Sequence, residues 1–369
     1  MNITCKKDAL QQAVQTVQKA IASKTPMPIL TGIYLAARAG RLELQATDYE
    51  IGISCVIDAE VHEEGKTVLS GRYFQEMVRK LPGDSVNLVS SEDTKTMTIT
   101  AGPAQFNLLN LPAEEFPVLK PLQTDTTMTV KDNVLKELIK RTVFACSTDE
   151  ARPIFTGALL EVSEDKVTMV ATNTHRLSIK HDKLDQVTAS FKMIIPGKIL
   201  TELARLLVDD IPTDVTLSYR HNQVSFAFND VYIISRLIEG QFPDYNRVIP
   251  ESFATHAQLP ADAFQSAVER VSLLAKDGDY NVIKMSFKDG EVVITSNNPD
   301  VGKAYEAVAI KLEGSDVEIA FNARYVTDIL KNVDCDTLLF SLNTPLSAAS
   351  IRPLDDTSYD YIVTPVRTN

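Results

Sequence analysis

Hydrophobic and polar positions follow two rhythms along this chain. Runs such as Thr96-Met-Thr-Ile-Thr100, Val224-Ser-Phe-Ala-Phe228 and Glu291-Val-Val-Ile-Thr295 alternate with period two, as strands with one buried face do. Asp289-Gly290, between two such runs, signals a hairpin turn. Elsewhere apolar residues recur at spacings of three and four over 6–24, 71–80, 131–141, 197–208, 261–276 and 322–332, which predicts six helices. Periodicity lapses where proline gathers, at Pro112, Pro117 and Pro121 and again at Pro243 and Pro250. Boundaries near 121 and 250 follow, giving segments 1–121, 122–250 and 251–369. Each reads helix, strands, helix, strands: an α+β class with two helices packed on mostly antiparallel sheet.

The three segments also repeat in sequence. Ile29-Leu-Thr-Gly32 returns as Ile154-Phe-Thr-Gly157, and Ala46-Thr-Asp48 as Ala171-Thr-Asn173 and, blurred, Ser296-Asn-Asn298, at offsets of 125 and 250. A second register, at 126, links Leu69-Ser-Gly-Arg72, Ile195-Pro-Gly-Lys198 and Phe321-Asn-Ala-Arg324, and carries Phe116-Pro117 to Phe242-Pro243. This period exceeds the roughly 20–50 residues of solenoid repeats, so each copy is expected to be a whole domain with its own core.

Lys and Arg number 37 against 49 Asp and Glu, a formal charge of −12 that argues against bulk attraction to nucleic acid. No apolar run approaches the roughly 18 residues a bilayer span needs. The start, Met1-Asn-Ile-Thr-Cys-Lys-Lys7, has no signal core, so a cytoplasmic location and no membrane partner are expected. Cys5, Cys55, Cys146 and Cys335 lack zinc or disulfide spacing and read as buried, reduced thiols.

Charge is distributed unevenly. The six helical segments hold 17 basic and 8 acidic residues, so a chain of net charge −12 is positive along its helices. In the second helix of each repeat, Arg72, Lys198 and Arg324 coincide, as do Arg79, Arg205 and Lys331, with Glu76, Glu202 and Asp328 between them. Phe74, Leu200 and Val326, Met77, Leu203 and Ile329, and Leu81, Leu207 and Val333 form the packing face. Helix-supporting ion pairs and the helix dipole would account for these charges without a ligand. The alternative is that the helices face a polyanion; duplex DNA, with one charge per ~1.7 Å of axis, fits. On that reading Lys24, Arg72, Arg79, Lys80, Lys136, Lys140, Lys198, Arg205, Arg324 and Lys331 would contact phosphate. No Trp, stacking sheet or zinc finger provides base readout, so the contacts would be independent of sequence.

Enzyme motifs fail on inspection. Gly65-Lys-Thr67 resembles the end of a phosphate loop, but Glu60 stands where that motif needs glycine. There is no His-Glu-x-x-His and no Gly-x-Ser-x-Gly. His62, His175, His181, His221 and His256 show no convincing ligand spacing, so no catalytic residue, metal or cofactor is expected.

Five blocks carry a family resemblance: Phe106-Asn-Leu108, Ala171-Thr-Asn-Thr-His-Arg-Leu177, Ile234-Ser-Arg-Leu-Ile-Glu-Gly-Gln-Phe-Pro-Asp-Tyr245, Phe321-Asn-Ala-Arg-Tyr325 and Tyr361-Ile-Val-Thr-Pro-Val-Arg367. Together they resemble the bacterial DNA polymerase III beta subunits, the replicative sliding clamps, from Met1 to Arg367. The resemblance implies a non-enzymatic processivity factor: half of a six-domain ring, closed head-to-tail by a second copy around duplex DNA. It implies as partners the replicative polymerase, other proteins with a clamp-binding motif, and a clamp loader, because a closed ring cannot load itself.

The resemblance also implies sites. The family joint pairs edge strands of the first and third domains, here placing Phe106 and Leu108 against Leu273 and Leu274. A partner-peptide cleft would be lined by Phe155, Thr172, His175, Arg176, Leu177, Pro243, Arg247, Val248, Asn322, Tyr325, Leu346, Ile362, Thr364, Pro365, Val366 and Arg367. Thr364 stands where many relatives carry methionine, and Thr174 where glycine is common. Plain core packing remains an alternative for Phe106, Leu108, Leu177, Val248 and Ile362. A multi-domain scaffold that binds proteins without encircling DNA remains the alternative function.

Overall fold

A computed structural model describes residues 1–22, 24–91, 94–124, 126–207, 211–275 and 281–367. Among the described residues six α-helices form: α1 (Lys7–Val17), α2 (Gly71–Lys80), α3 (Asp132–Thr142), α4 (Gly197–Leu206), α5 (Ala261–Ala275) and α6 (Ala323–Asn332). All strand pairings among the described residues are antiparallel. The mixed α and β class with two helices per repeat is what the patterning predicts.

The chain divides into two compact units, Met1–Asn133 with Arg205–Leu237, and Val134–Ala204 with Ile238–Asn369. The first unit holds a 13-stranded sheet in which the strand Val231–Arg236 pairs with Ile51–Asp58, joining sequence segments about 180 residues apart into one ladder. The second unit holds a seven-stranded and a four-stranded sheet, and a core in which Phe264, Phe287 and Phe321 converge on Phe340.

The repeated sequence words have a local structural cause. Gly71 and Gly197 open α2 and α4 where a Cβ would come within 3.0 Å of the Thr31 and Thr156 carbonyl oxygens, so glycine recurs there. Thr47 and Thr172 hydroxyls donate to the carbonyls of Ile51 and Arg176, four residues on. Asp48 accepts from the amides of Glu50 and Ile51, and Asn173 from those of His175 and Arg176. Asn298 accepts from Asp300, the third copy of the same side-chain-to-backbone turn. The Ala-Thr-Asp, Ala-Thr-Asn and Ser-Asn-Asn words each mark a tight turn between strands.

Several expected bounds shift. Helix α1 stops at Val17, followed by a 3-10 turn at Gln18–Ala20; Pro26 and Pro28, which cannot sustain an α-helix, lie just beyond. Lys24 is therefore on an exposed bend outside the helix. Val208 and Lys276, placed in the fourth and fifth helices, lie outside the described residues. Phe74, Leu200, Val326, Leu203, Ile329, Leu81 and Leu207 are buried as expected; Met77 and Val333 are half-buried.

Candidate functional site

In the second unit the turn Ala171–Arg176 leads into the long strand Arg176–Pro196, which pairs with Tyr359–Val363 so that Leu177 faces Ile362. Each of these two side chains is 3% exposed, and they floor a cleft of about 200 Å³. Phe155 and Phe242 meet edge-on at 6.4 Å in its wall, and Val248, 56% exposed, stands at its mouth. Apolar walls around a few polar groups suit an apolar peptide side chain.

Arg176 fixes the floor from beneath. Its Nη1 donates to Asp328 at 2.6 Å and its Nη2 to the Phe144 carbonyl at 2.6 Å, and its guanidinium lies 4.7 Å from the Tyr325 ring centroid. Burial works against the charge, but Tyr361 and Asp328 outweigh it and hold Arg176 above its ordinary pKa. Its Nε is buried with no hydrogen-bond partner among the described residues. The Tyr325 ring also stacks on His175. Thr364 closes the rim, its amide and hydroxyl both donating to the His175 carbonyl at 2.9 Å.

Phe155, Thr172, His175, Arg176, Leu177, Pro243, Val248, Ile362 and Thr364 line this cleft. Seven other expected residues do not. Asn322 instead caps α6 by accepting from the Arg324 amide, Tyr325 supports Arg176 from behind, and Arg247 is held by Asp244 on the surface. Leu346 is exposed; Pro365, Val366 and Arg367 leave along the strand Val317–Asn322, where the Val366 amide donates to Ala320. Phe242, Asp244, Tyr245 and Ala348 line the cleft without having been expected there, and Thr174, noted with Thr364 as a departure, lines it too. Phe242 carried a signal, since it belongs to the repeated Phe-Pro pair.

The basic residues separate by environment. Arg72, Arg79, Lys80, Lys140, Lys198, Arg205, Arg324 and Lys331 are exposed on α2, α3, α4 and α6, and Lys136 is half-buried on α3. Arg141, counted among the helix cations, is structural: it is buried, binds Glu137 and the Asn332 carbonyl, and packs on Tyr359. Burial raises the Cys5, Cys55 and Cys146 thiols to about 11, 11 and 12, so none is a nucleophile near neutral pH.

The expected joint residues lie on one strand and one helix. Phe106 is 41% exposed and Leu108 half-buried on Ala104–Leu111, which pairs with Gly65–Ser70 only at Asn110 and Leu111. Leu273 and Leu274 lie on α5, where the helix expected over 261–276 puts them, because the three-and-four spacing from Phe264 to Val271 carries the helix through them. One outer strand of the four-stranded sheet is Gly302–Ala309, with Tyr305 66% exposed. Among the described residues no group of His, Cys, Asp or Glu is arranged to hold a metal, and no helix is long and apolar enough to cross a membrane.

Comparison with known proteins gives one consistent match. Models of the N-terminal, central and C-terminal domains of the DNA polymerase III beta subunit match residues 1–120, 129–244 and 246–367. The beta sliding clamps of Staphylococcus aureus and Staphylococcus epidermidis are 36% and 34% identical, over 100% of this chain and of theirs. The Bacillus subtilis DNA polymerase sliding clamp superposes with a TM-score of 0.94 at 36% identity, covering 100% of both chains. A Pseudomonas aeruginosa sliding clamp, solved bound to griselimycin, superposes at 0.94 with 27% identity, again over 100% of both chains.

Proposed function

The chain belongs to the family of bacterial DNA polymerase III beta subunits, and on that premise we propose that it is a DNA sliding clamp. Two copies would close head-to-tail into a ring around duplex DNA and tether the replicative polymerase, with no reaction of their own. The observation that carries the reading is the recurrence, in an acidic chain, of exposed basic residues at matching positions of α2, α4 and α6. Sequence-independent contacts of dispersed Lys and Arg with phosphate suit sliding. A self-closing interface of two unlike surfaces forms a ring rather than a filament when its rotation closes after two copies.

Boundaries near 121 and 250 then separate the three clamp domains. Arg72, Arg79, Lys80, Lys140, Lys198, Arg205, Arg324 and Lys331 are the DNA-facing set, with Lys24 and Lys136 at its margin. Phe106 and Leu108, with the neighbouring Leu109, would meet Leu273, Leu274 and Tyr305 of the second copy, because these apolar side chains are exposed or half-buried beside open strand edges. The cleft over Leu177 and Ile362 takes an apolar peptide anchor from the polymerase, the clamp loader or other motif-bearing partners. The work would be done in the cytoplasm, where the chromosome is copied.

The deciding experiment loads the protein with a clamp loader and ATP onto nicked circular DNA and then linearises the circle. A ring elutes with the circle and is lost once the ends are free. Equal retention on circular and linear DNA would favour the scaffold reading and end this one.

A further inference from the structure

The first unit contains a copy of the cleft's framework that the peptide reading leaves unused. The turn Thr47–Ile51 repeats the turn Thr172–Arg176 bond for bond, and Tyr49 and Thr174 both take left-handed backbone, at φ 74° and 77°. Beyond the turn, Ile51 and Gly52 pair with Ser235 and Ile234, as Arg176 and Leu177 pair with Val363 and Ile362. The Arg236 amide donates to the Glu50 carbonyl at 2.9 Å, as the Thr364 amide does to His175 at 2.9 Å. Two peptide frames are thus built on one plan.

Their linings differ in a specific way. Gly52 replaces Leu177 on the floor, and a Cβ there would meet Leu119 at 2.5 Å and Ile234 at 3.1 Å. Leu119, held by its amide's hydrogen bond to Gln45, therefore fills from within the place an incoming apolar side chain would take. What remains is a wider groove of about 670 Å³ whose charged lining is Lys120, Arg220, Arg236 and Glu50. Arg236 reaches Glu50 only at 3.6 Å, with both side chains more than half exposed, a weak pair. Arg220 spends one donor on the Gln123 carbonyl and keeps others. These three cations lie outside every helix, so the DNA-facing set does not account for them.

We propose that this groove is a second docking site, and that its occupant is an extended acidic peptide of a partner protein. Recognition there rests on charge, because the apolar floor is already occupied, and the cation excess selects carboxylates in a chain that is otherwise net acidic. The inference takes from the clamp reading only the idea that this frame holds extended chain.

The test uses the full-length protein and fluorescence anisotropy with two probes: a fluorescein-labelled peptide of alternating Glu, Asp and Leu, and a labelled polymerase-tail peptide. R220E/R236E should weaken the acidic probe at least about tenfold and leave the polymerase tail unchanged. V248D should do the reverse. The milder K120Q/R236Q gives the same direction should the charge reversal lower the melting temperature. Unchanged binding of the acidic probe in both groove variants overturns the proposal, as does its loss in V248D, which would put it in the cleft. Tighter binding of a labelled single-stranded oligonucleotide than of the acidic peptide, lost in R220E/R236E, also overturns it. Failure of the polymerase tail alone would instead count against the cleft.

Discussion

Single residues set what the cleft can hold. Val248 is exposed at its mouth, so Val248→Asp should leave the fold intact while placing a charge against an apolar peptide anchor. Anisotropy with a polymerase-tail peptide should show at least a tenfold loss, about 1.4 kcal/mol or more; unchanged affinity would move the peptide site elsewhere. Thr174 is held at φ 77°, where a residue with a Cβ costs about 1–2 kcal/mol. Thr174→Gly relieves that cost against a chain-entropy loss of about 0.5–1 kcal/mol, so urea unfolding should show a net gain of about 0.5–1 kcal/mol. A net loss would mean that the turn needs the Thr174 hydroxyl. The motif around His175 was legible because turn chemistry is written in adjacent residues. Tyr245 and Ala348 were not legible, because only the folded chain brings them to the cleft from segments far apart in sequence.

At the scale of elements, the helices were legible in the spacing of apolar residues. The three-and-four spacing of buried residues places α2, α4 and α6 within two residues, and the same spacing over 261–276 carries Leu273 and Leu274 on α5. Strand association in the second unit is supported by an ion pair between a buried lysine and a half-buried carboxylate. Lys180, on Arg176–Pro196, donates to Asp356 at 3.0 Å and to the Ser358 hydroxyl at 2.5 Å, just before the strand Tyr359–Val363 begins. Burial raises the Asp356 pKa, but bonds from Ser358 and Lys180 outweigh it and hold the carboxyl below its ordinary value. A carboxyl depressed in the fold contributes stability above its unfolded pKa, near 3.9, which is lost as pH falls through the lower folded value. Asp356→Asn should therefore cost about 1–3 kcal/mol at neutral pH by leaving Lys180 underpaired, and remove this group's share of the acid sensitivity. Thermal melts at neutral and acid pH measure both; an unchanged acid slope would exclude the pair as its source.

At the scale of the whole molecule, the threefold repeat and the charge asymmetry were the informative signals, and both survive in the structure. The charge count was too generous by Arg141, which composition cannot distinguish from a surface cation, since its partners lie as far off as Asn332. Replacing Arg72, Lys198 and Arg324 together by Glu removes one exposed cation from each repeat and inserts an acid. Retention on nicked circular DNA should fall several-fold while the melting temperature holds. Retention of the unaltered protein should itself fall steeply with salt, because each phosphate contact releases counterions. Normal retention of the triple variant would show that these helices do not face DNA.

The cross-strand pair Leu177 and Ile362 also imposes an order in time. The two residues lie 185 positions apart, so during synthesis Leu177 emerges roughly 10–40 s before the strand that covers its edge. Until then the nascent chain has one wall of the cleft and an unpaired strand beside it, an adhesive surface rather than a selective one. A partner that requires both walls therefore ignores unfinished chains, and recruitment to replication becomes a check on completed synthesis. The interval in which Leu177 is uncovered is also when a holding chaperone would have the most to grip.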